Sequence, residues 1–334
     1  MTHYDLFVIG GGSGGVAAAR SSAALGAKVG IAEGDKFGGT CVNRGCMPKK
    51  WYMYASQYPQ ELEVAKSYGW NIETPKLDWN ILKDNTFKEI KRLNSVYDNM
   101  LNKSGVDIYT DFAAFKDANT ILVSGKEITA DKFLLAPGAK PFTPKIDGAE
   151  LGITSDDVFH MDELPESMII IGAGYIAVEF ASIMNGLGVD VTLMYRGDKI
   201  LRGFDDDIRN HAHKEFEKKG IKTAAMTSPT SLKRSDDGKI NLICSHGKHS
   251  VTDQVMFATG RVPNLEHSNI KSTGVKTDER GRIIVDEWQK TNIDHIYAVG
   301  DVTNTNYDLT PVAINEGRAF SCLLYTSPSP RDRG

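Results

Sequence analysis

The stretch Tyr4-Asp5-Leu6-Phe7-Val8-Ile9-Gly10-Gly11-Gly12-Ser13-Gly14-Gly15 decides the fold. Tyr4 to Ile9 reads as a short buried strand bounded by glycine. An Ala-rich helix follows over Val16 to Leu25, then a second strand over Ala27 to Glu33 that ends in a carboxylate. A G-x-G-x-x-G alone would say little. Here a strand precedes it, a helix follows it, and Glu33 stands 23 residues after Gly10, which completes a dinucleotide fingerprint. Gly10 permits the tight turn, Gly12 lets a pyrophosphate approach the backbone, and Gly15 lets helix and strand pack closely. The phosphates then sit on the helix N-terminus, and Glu33 accepts hydrogen bonds from a ribose.

A second unit of this kind begins at strand Ser167 to Ile171 and runs through Gly172-Ala173-Gly174-Tyr175-Ile176-Ala177 into helix Val178 to Leu187. Strand Val189 to Met194 comes next. Ala177 replaces the third glycine, and Met194-Tyr195 stands where binding of NAD would need an acid. Arg196 and Arg202 follow instead. A carboxylate repels a 2′-phosphate, whereas guanidinium groups hold it through charge-assisted, often bidentate bonds. NADPH is the expected ligand.

Between the two units lies Gly38-Gly39-Thr40-Cys41-Val42-Asn43-Arg44-Gly45-Cys46-Met47-Pro48-Lys49-Lys50. If Cys41 to Cys46 occupy the first turns of a helix, the i to i+5 spacing lets the sulfurs approach across a distorted turn. A helix N-terminus favours anions, and Lys49 and Lys50 add positive charge, so a thiolate here is stabilised and reactive. A structural disulfide and half of a zinc site are the plainer alternatives. Zinc takes four N/S ligands at paired spacings, and no second Cys/His pair stands at such a spacing.

The chain has 334 residues, 41% of them apolar and 25% charged, which suits a soluble globular protein of two domains or slightly more. A net charge of −4 gives no argument for nucleic acid or anionic membrane as partner, and neither is expected. The apolar runs are far shorter than a bilayer span, and the first strand leaves no room for a leader. Four cysteines in this length point to a reducing compartment, so the expected location is cytoplasmic. Residues 52 to 110 read as helical, Val106 to Lys116, Thr120 to Thr129 and Phe133 to Ala136 as strands, and Pro137 to Pro144 as a domain crossing. A strand over Ile283 to Val285 and another from His295 lead to Gly300-Asp301, by itself a common strand-end turn; in a chain already carrying one flavin-like fold, Asp301 can reach a flavin's ribityl chain. Cys244 reads as a small packed side chain. The expected fold is α/β, with two Rossmann-like three-layer dinucleotide-binding domains of the FAD/NAD(P)-binding kind. The FAD domain is discontinuous: 1–140, with the cysteines, returns as 265–321 after an NADPH domain at 141–264.

Together these motifs, with Ala258 to Asn264, resemble the pyridine-nucleotide:disulfide oxidoreductases, and among them the glutathione reductases, over residues 4 to 320. The resemblance implies FAD and NADPH as cofactors, glutathione disulfide as substrate and a homodimer. FAD-contacting positions are then Gly10, Gly12, Ser13, Gly14, Gly15, Glu33, Thr40, Lys49, Ala113, Asp301 and Thr310. For NADPH they are Gly172, Gly174, Tyr175, Ile176, Glu179, Arg196, Arg202 and Gly260. Ser13, Arg20, Tyr97 and Arg318 match substrate positions. Tyr175 gates the nicotinamide, Lys49 pairs with Glu179 beside the flavin, Cys46 faces the ring, and Cys41 exchanges with the substrate. No metal is implied. Met47-Pro48-Lys49-Lys50 and the arginine pair lean away from lipoamide dehydrogenases; trypanothione and mercuric reductases are the neighbouring readings. Pro137 departs from the Thr usual before Gly138.

In the family an interface domain follows the helix at Thr310 and supplies a His-Pro general acid. None of the eight histidines here precedes a proline, so that domain and its acid are expected to be absent and the literal chain to be an incomplete, non-catalytic fragment. Cys322 to Asp332 shows no helix or strand logic. One reverse translation of it reads as a transposon-type library adapter, so 322–334 is expected to be a non-native tail.

Overall fold

The computed structural model describes residues 2–73, 76–305 and 307–325. From the N-terminus run β1 (Thr2–Ile9), α1 (Ser13–Ala24), β2 (Val29–Ala32), α2 (Gly39–Asn43), α3 (Cys46–Ser67) and α4 (Trp79–Lys103). Next come β3 (Asp107–Tyr109), β4 (Ala114–Asp117), β5 (Thr120–Val123), β6 (Lys126–Leu135), β7 (Ala139–Pro141), β8 (Ile153–Thr154) and α5 (Ser155–Val158). Then follow β9 (Ser167–Ile171), α6 (Tyr175–Gly186), β10 (Asp190–Met194), α7 (Asp206–Lys218), β11 (Lys222–Ala224) and β12 (Pro229–Arg234). The order ends with β13 (Ile240–Cys244), β14 (His249–Thr252), β15 (Gln254–Phe257), β16 (Arg261–Pro263), β17 (Ile296–Ala298) and α8 (Thr310–Tyr325). Two compact units result: Met1–Asn43, Glu89–Lys140 and Val262–Gly334 form one, and Arg44–Lys88 with Pro141–Arg261 the other.

In the first unit β3, β2, β1, β6 and β17 run parallel in that spatial order, while β5 and β4 continue antiparallel from the other part of β6. Both faces of β1 are covered, as expected of a parallel strand with an unbroken apolar run. Leu6 and Val8 pack with Val16, Ala18 and Ala19 of α1 and Phe320 of α8. Phe7 and Ile9 point the other way, to Phe115, Phe133 and Ile296. Helix α8 lies so close to α1 that a Cβ on Gly317 would stand 2.4 Å from the Gly14 carbonyl oxygen.

The second unit repeats the plan. Parallel strands lie in the order β11, β10, β9, β15, β8. Met168 and Ile170 face Ala177 and Phe180 of α6, while Ile169 and Ile171 face Leu232 and Leu242 of the antiparallel β12–β13–β14 sheet. Each unit is a layered, Rossmann-like α/β nucleotide-binding fold, and both are discontinuous in sequence.

Several local expectations change. Thr120 to Thr129 is a hairpin, because Ser124 (φ 49°) and Gly125 (φ 71°) form a two-residue left-handed turn that pairs Val123 with Lys126. Phe133 to Leu135 is then the end of β6. Ile283 to Val285 makes isolated bridges only, since the Val285 N–H goes to the Asn304 side chain instead of a ladder. Residues 44–88 group with 141–261, whereas the sequence assigned them to the first domain. The reason is packing: Tyr52 and Trp79 enter the core around Phe159 and Phe180, and a Cβ on Gly186 of α6 would meet the Ser56 carbonyl of α3 at 2.5 Å. Cys322 to Tyr325 continue α8, because Gly317, Phe320, Ser321, Leu324 and Tyr325 recur at helical spacing on the face turned to α1 and β1. Residues 326–334 lie outside the described residues.

Candidate functional site

In the first unit, the turn after β1 requires its glycines. Gly10 has φ +108°, and a Cβ on it would sit 2.3 Å from the Ala136 carbonyl oxygen; a Cβ on Gly15 would sit 2.0 Å from that of Gly10. Gly12 caps α1 with no side-chain bond, so among the described residues no capping side chain covers the start of the helix that Ser13, Gly14 and Gly15 open. Glu33, just past β2, accepts from the N–H of Gly11 at 2.7 Å and of Asp35 at 2.9 Å. A carboxylate has lone pairs beyond those two. Uncovered helix N–H groups and a fixed carboxylate are what a pyrophosphate and a ribose need, so these residues fit a dinucleotide. Ala113 is buried just before β4, Thr310 opens α8, and half-buried Asp301 follows Gly300, whose N–H donates to Glu316 Oε2 at 2.7 Å. Burial pushes the Glu316 carboxyl above the usual range; the Gly300 bond opposes this and the Asp301 charge adds to it. Nothing in the sequence pattern singled out Glu316.

The cysteine loop is fastened to this turn. The Gly38 N–H donates to the Gly11 carbonyl at 2.9 Å, and a Cβ on Gly39 would stand 2.7 Å from Gly12 Cα. Thr40 is exposed and Cys41 half-buried in α2. On α4, burial first, and then the charge of Cys41, push the Tyr97 phenol up. Arg20 is exposed on α1, with Nε 3.4 Å from Ser104 Oγ, and Arg318 is exposed on α8.

In the second unit the helical run of the cysteine stretch is broken. Gly45 (φ −142°, ψ −117°) separates α2 from α3, and Cys46 becomes the first, exposed residue of a 22-residue helix with no side-chain cap. A helix N-terminus is a favourable place for an anion. The two lysines are otherwise engaged: Lys49 Nζ donates to Glu179 Oε1 at 2.6 Å, and Lys50 lies over the Tyr54 ring at 5.0 Å. Glu179 is one turn along α6 from Tyr175, which is 49% exposed beside half-buried Ile176.

Gly172 has φ +145°, and its Cβ would meet the Ala258 oxygen at 2.2 Å; Gly174 caps α6 without a side-chain bond and has open space around it. Arg196 and Arg202 are exposed beyond β10, while their neighbour Arg209 is tied to Asp206 and the Ile200 carbonyl. Gly260 follows β15, its carbonyl accepting from the Phe142 N–H at 2.9 Å. An uncapped helix start with exposed guanidinium groups fits a nucleotide that carries an extra phosphate. Cys244 is buried, and burial pushes its thiol up. Among the described residues no cluster of metal-ligating side chains occurs, and no helix is long and apolar enough to cross a membrane.

Comparison with known proteins agrees with this geometry. Residues 4–317 match the pyridine nucleotide-disulphide oxidoreductase family. The chain is 43% identical over 329 residues to the glutathione reductase of Nostoc sp., covering 95% of the chain and 72% of the relative. It is 46% identical over 322 residues to the glutathione reductase of Burkholderia cepacia, covering 96% and 71%. The chloroplastic/mitochondrial glutathione reductase of Pisum sativum is 39% identical over 333 residues, covering 96% and 60%. Two nucleotide turns, a cysteine pair between them and a family match across nearly the whole length give one conclusion: the chain belongs to the pyridine nucleotide-disulphide oxidoreductase family.

Proposed function

We propose that this chain belongs to an NADPH- and FAD-dependent enzyme that reduces glutathione disulfide, working as a homodimer in a reducing, cytoplasmic setting. Family membership brings a flavin and a nicotinamide nucleotide. The observation that carries the reading is the bond from the Gly38 N–H to the Gly11 carbonyl, which fastens the Cys41 loop to the first nucleotide turn. FAD would be held by Gly10 to Gly15, Glu33, Thr40, Ala113, Asp301 and Thr310; when bound, it passes electrons from NADPH to the cysteine pair. Gly172, Gly174, Ile176, Gly260, Arg196 and Arg202 would hold NADPH, with Tyr175 covering the nicotinamide pocket.

The chain's own sulfurs do the exchange. Cys41 thiolate attacks one sulfur of glutathione disulfide, releasing one glutathione thiolate and forming a mixed disulfide. Cys46 thiolate then attacks the Cys41 sulfur, releasing the second glutathione and closing the Cys41–Cys46 disulfide. Ser13, Arg20, Tyr97 and Arg318 would receive the anionic substrate. The test is NADPH oxidation by the full-length gene product. Turnover with glutathione disulfide should far exceed that with lipoamide, or with NADH as donor. A higher kcat/KM for trypanothione disulfide or mercuric ion would overturn the substrate assignment.

A further inference from the structure

Helix α4 places Asn94 one turn before Tyr97, and both are half-buried. Asn94 Nδ2 donates to the Phe37 carbonyl at 3.0 Å and to Asn43 Oδ1 at 2.7 Å. Asn43 Nδ2 in turn donates to the carbonyls of Lys36 at 3.1 Å and Gly39 at 3.0 Å. A primary amide has two protons to give, and each of these amides commits both to the segment 36–43. Gly38 fastens one side of that segment to Gly11. The asparagine pair fastens the other side, where Cys41 lies two residues before Asn43.

We infer that Asn94 and Asn43 are positioning residues for the disulfide chemistry: their amides lock Lys36 to Asn43 and so hold the segment that carries the Cys41 thiol. This rests on the redox reading of Cys41 and Cys46 given above. A thiol held in one place has a high effective concentration toward its partner sulfur, and freeing its loop lowers that concentration. Asn94→Asp is the sharper variant. It keeps the shape, cannot donate, and turns a carboxylate toward the Phe37 and Asn43 oxygens. Asn94→Ala is the neutral companion should the first not fold.

The flavin-loaded full chain is equilibrated without oxygen against mixtures of reduced and oxidised dithiothreitol, quenched in acid and read by alkylation and mass spectrometry. As the protein disulfide opens it takes up two electrons and two protons, and dithiothreitol closes to its cyclic disulfide. The equilibrium constant for forming Cys41–Cys46 is expected to fall at least about tenfold in Asn94→Asp, or about 30 mV. In Asn94→Ala it should fall about threefold or more (by the same effective-concentration argument), and flavin content should hold in both. Unchanged constants in both variants overturn the inference. So does a loss of flavin that parallels the shift, which would make the pair a general prop. Wild-type protein that forms no Cys41–Cys46 disulfide at any ratio would instead defeat the redox reading itself.

Discussion

Lys49 on α3 donates through Nζ to Glu179 Oε1 on α6 at 2.6 Å, in a pair only partly shielded from water. Such a pair contributes at most about 1 kcal/mol, roughly 2–4 °C of melting temperature at this size. Its placement matters more, since Lys49 is one turn from Cys46 and Glu179 one turn from Tyr175. Lys49→Met should stay within that melting range yet slow flavin reduction by NADPH about tenfold or more, as read by stopped-flow absorbance.

Cys41→Ser should reduce glutathione-disulfide turnover by on the order of a thousandfold or more, as losing a nucleophile does. NADPH-driven reduction of a dye should persist, because the exchange role proposed for Cys41 leaves it out of that route. Parallel steady-state assays on one preparation check both halves.

Gly10 has no room for a methyl group, with φ +108° and the Ala136 oxygen 2.3 Å from an added Cβ. Gly10→Ala should cost about 1–3 kcal/mol of stability and abolish flavin retention. Flavin released on heat denaturation, divided by protein concentration, measures it.

Arg196 and Arg202 are exposed with no competing carboxylate described at either. A hydrogen bond to a charged group contributes about 1.5–3 kcal/mol. Replacing either one by Gln should therefore raise the KM for NADPH by about 10- to 150-fold while leaving that for NADH nearly unchanged.

Glu316 gives a pH dependence whose sign is fixed. Burial raises its folded-state value above the ordinary 4.5, so the folded chain binds this proton more tightly than the unfolded chain does. Its contribution is greatest below the ordinary value and declines as pH rises from there to the folded value. Glu316→Gln, which can still accept from Gly300, should flatten that decline. Urea midpoints measured from pH 4 to 8 in both proteins would show it.

The two Rossmann-like units were legible in the sequence because β1 and β9 are apolar runs ending in glycines that no other residue can replace. The Lys49–Glu179 contact was reachable only through resemblance, since no spacing rule links residues 130 positions apart. The hairpin at Ser124-Gly125 was missed although its dipeptide is a turn signal; two short strands of matching polarity read as one. Residues 44–88 were misplaced because periodicity shows that Tyr52 and Trp79 are buried but not which sheet buries them. Asn94 gave no signal at all: a lone amide on an amphipathic helix looks like a solvated residue until its partners are seen.

The crossing of α8 over α1 leaves no volume at Gly317, where an added methyl carbon would overlap the Gly14 oxygen and press on the Ala18 nitrogen at 3.1 Å. In a saturation library scored for flavin colour, codon 317 should therefore tolerate only synonymous changes, while its neighbour Arg318 accepts many. Such an intolerant column would locate this helix crossing in colonies on a plate, with no diffraction or spectroscopy required.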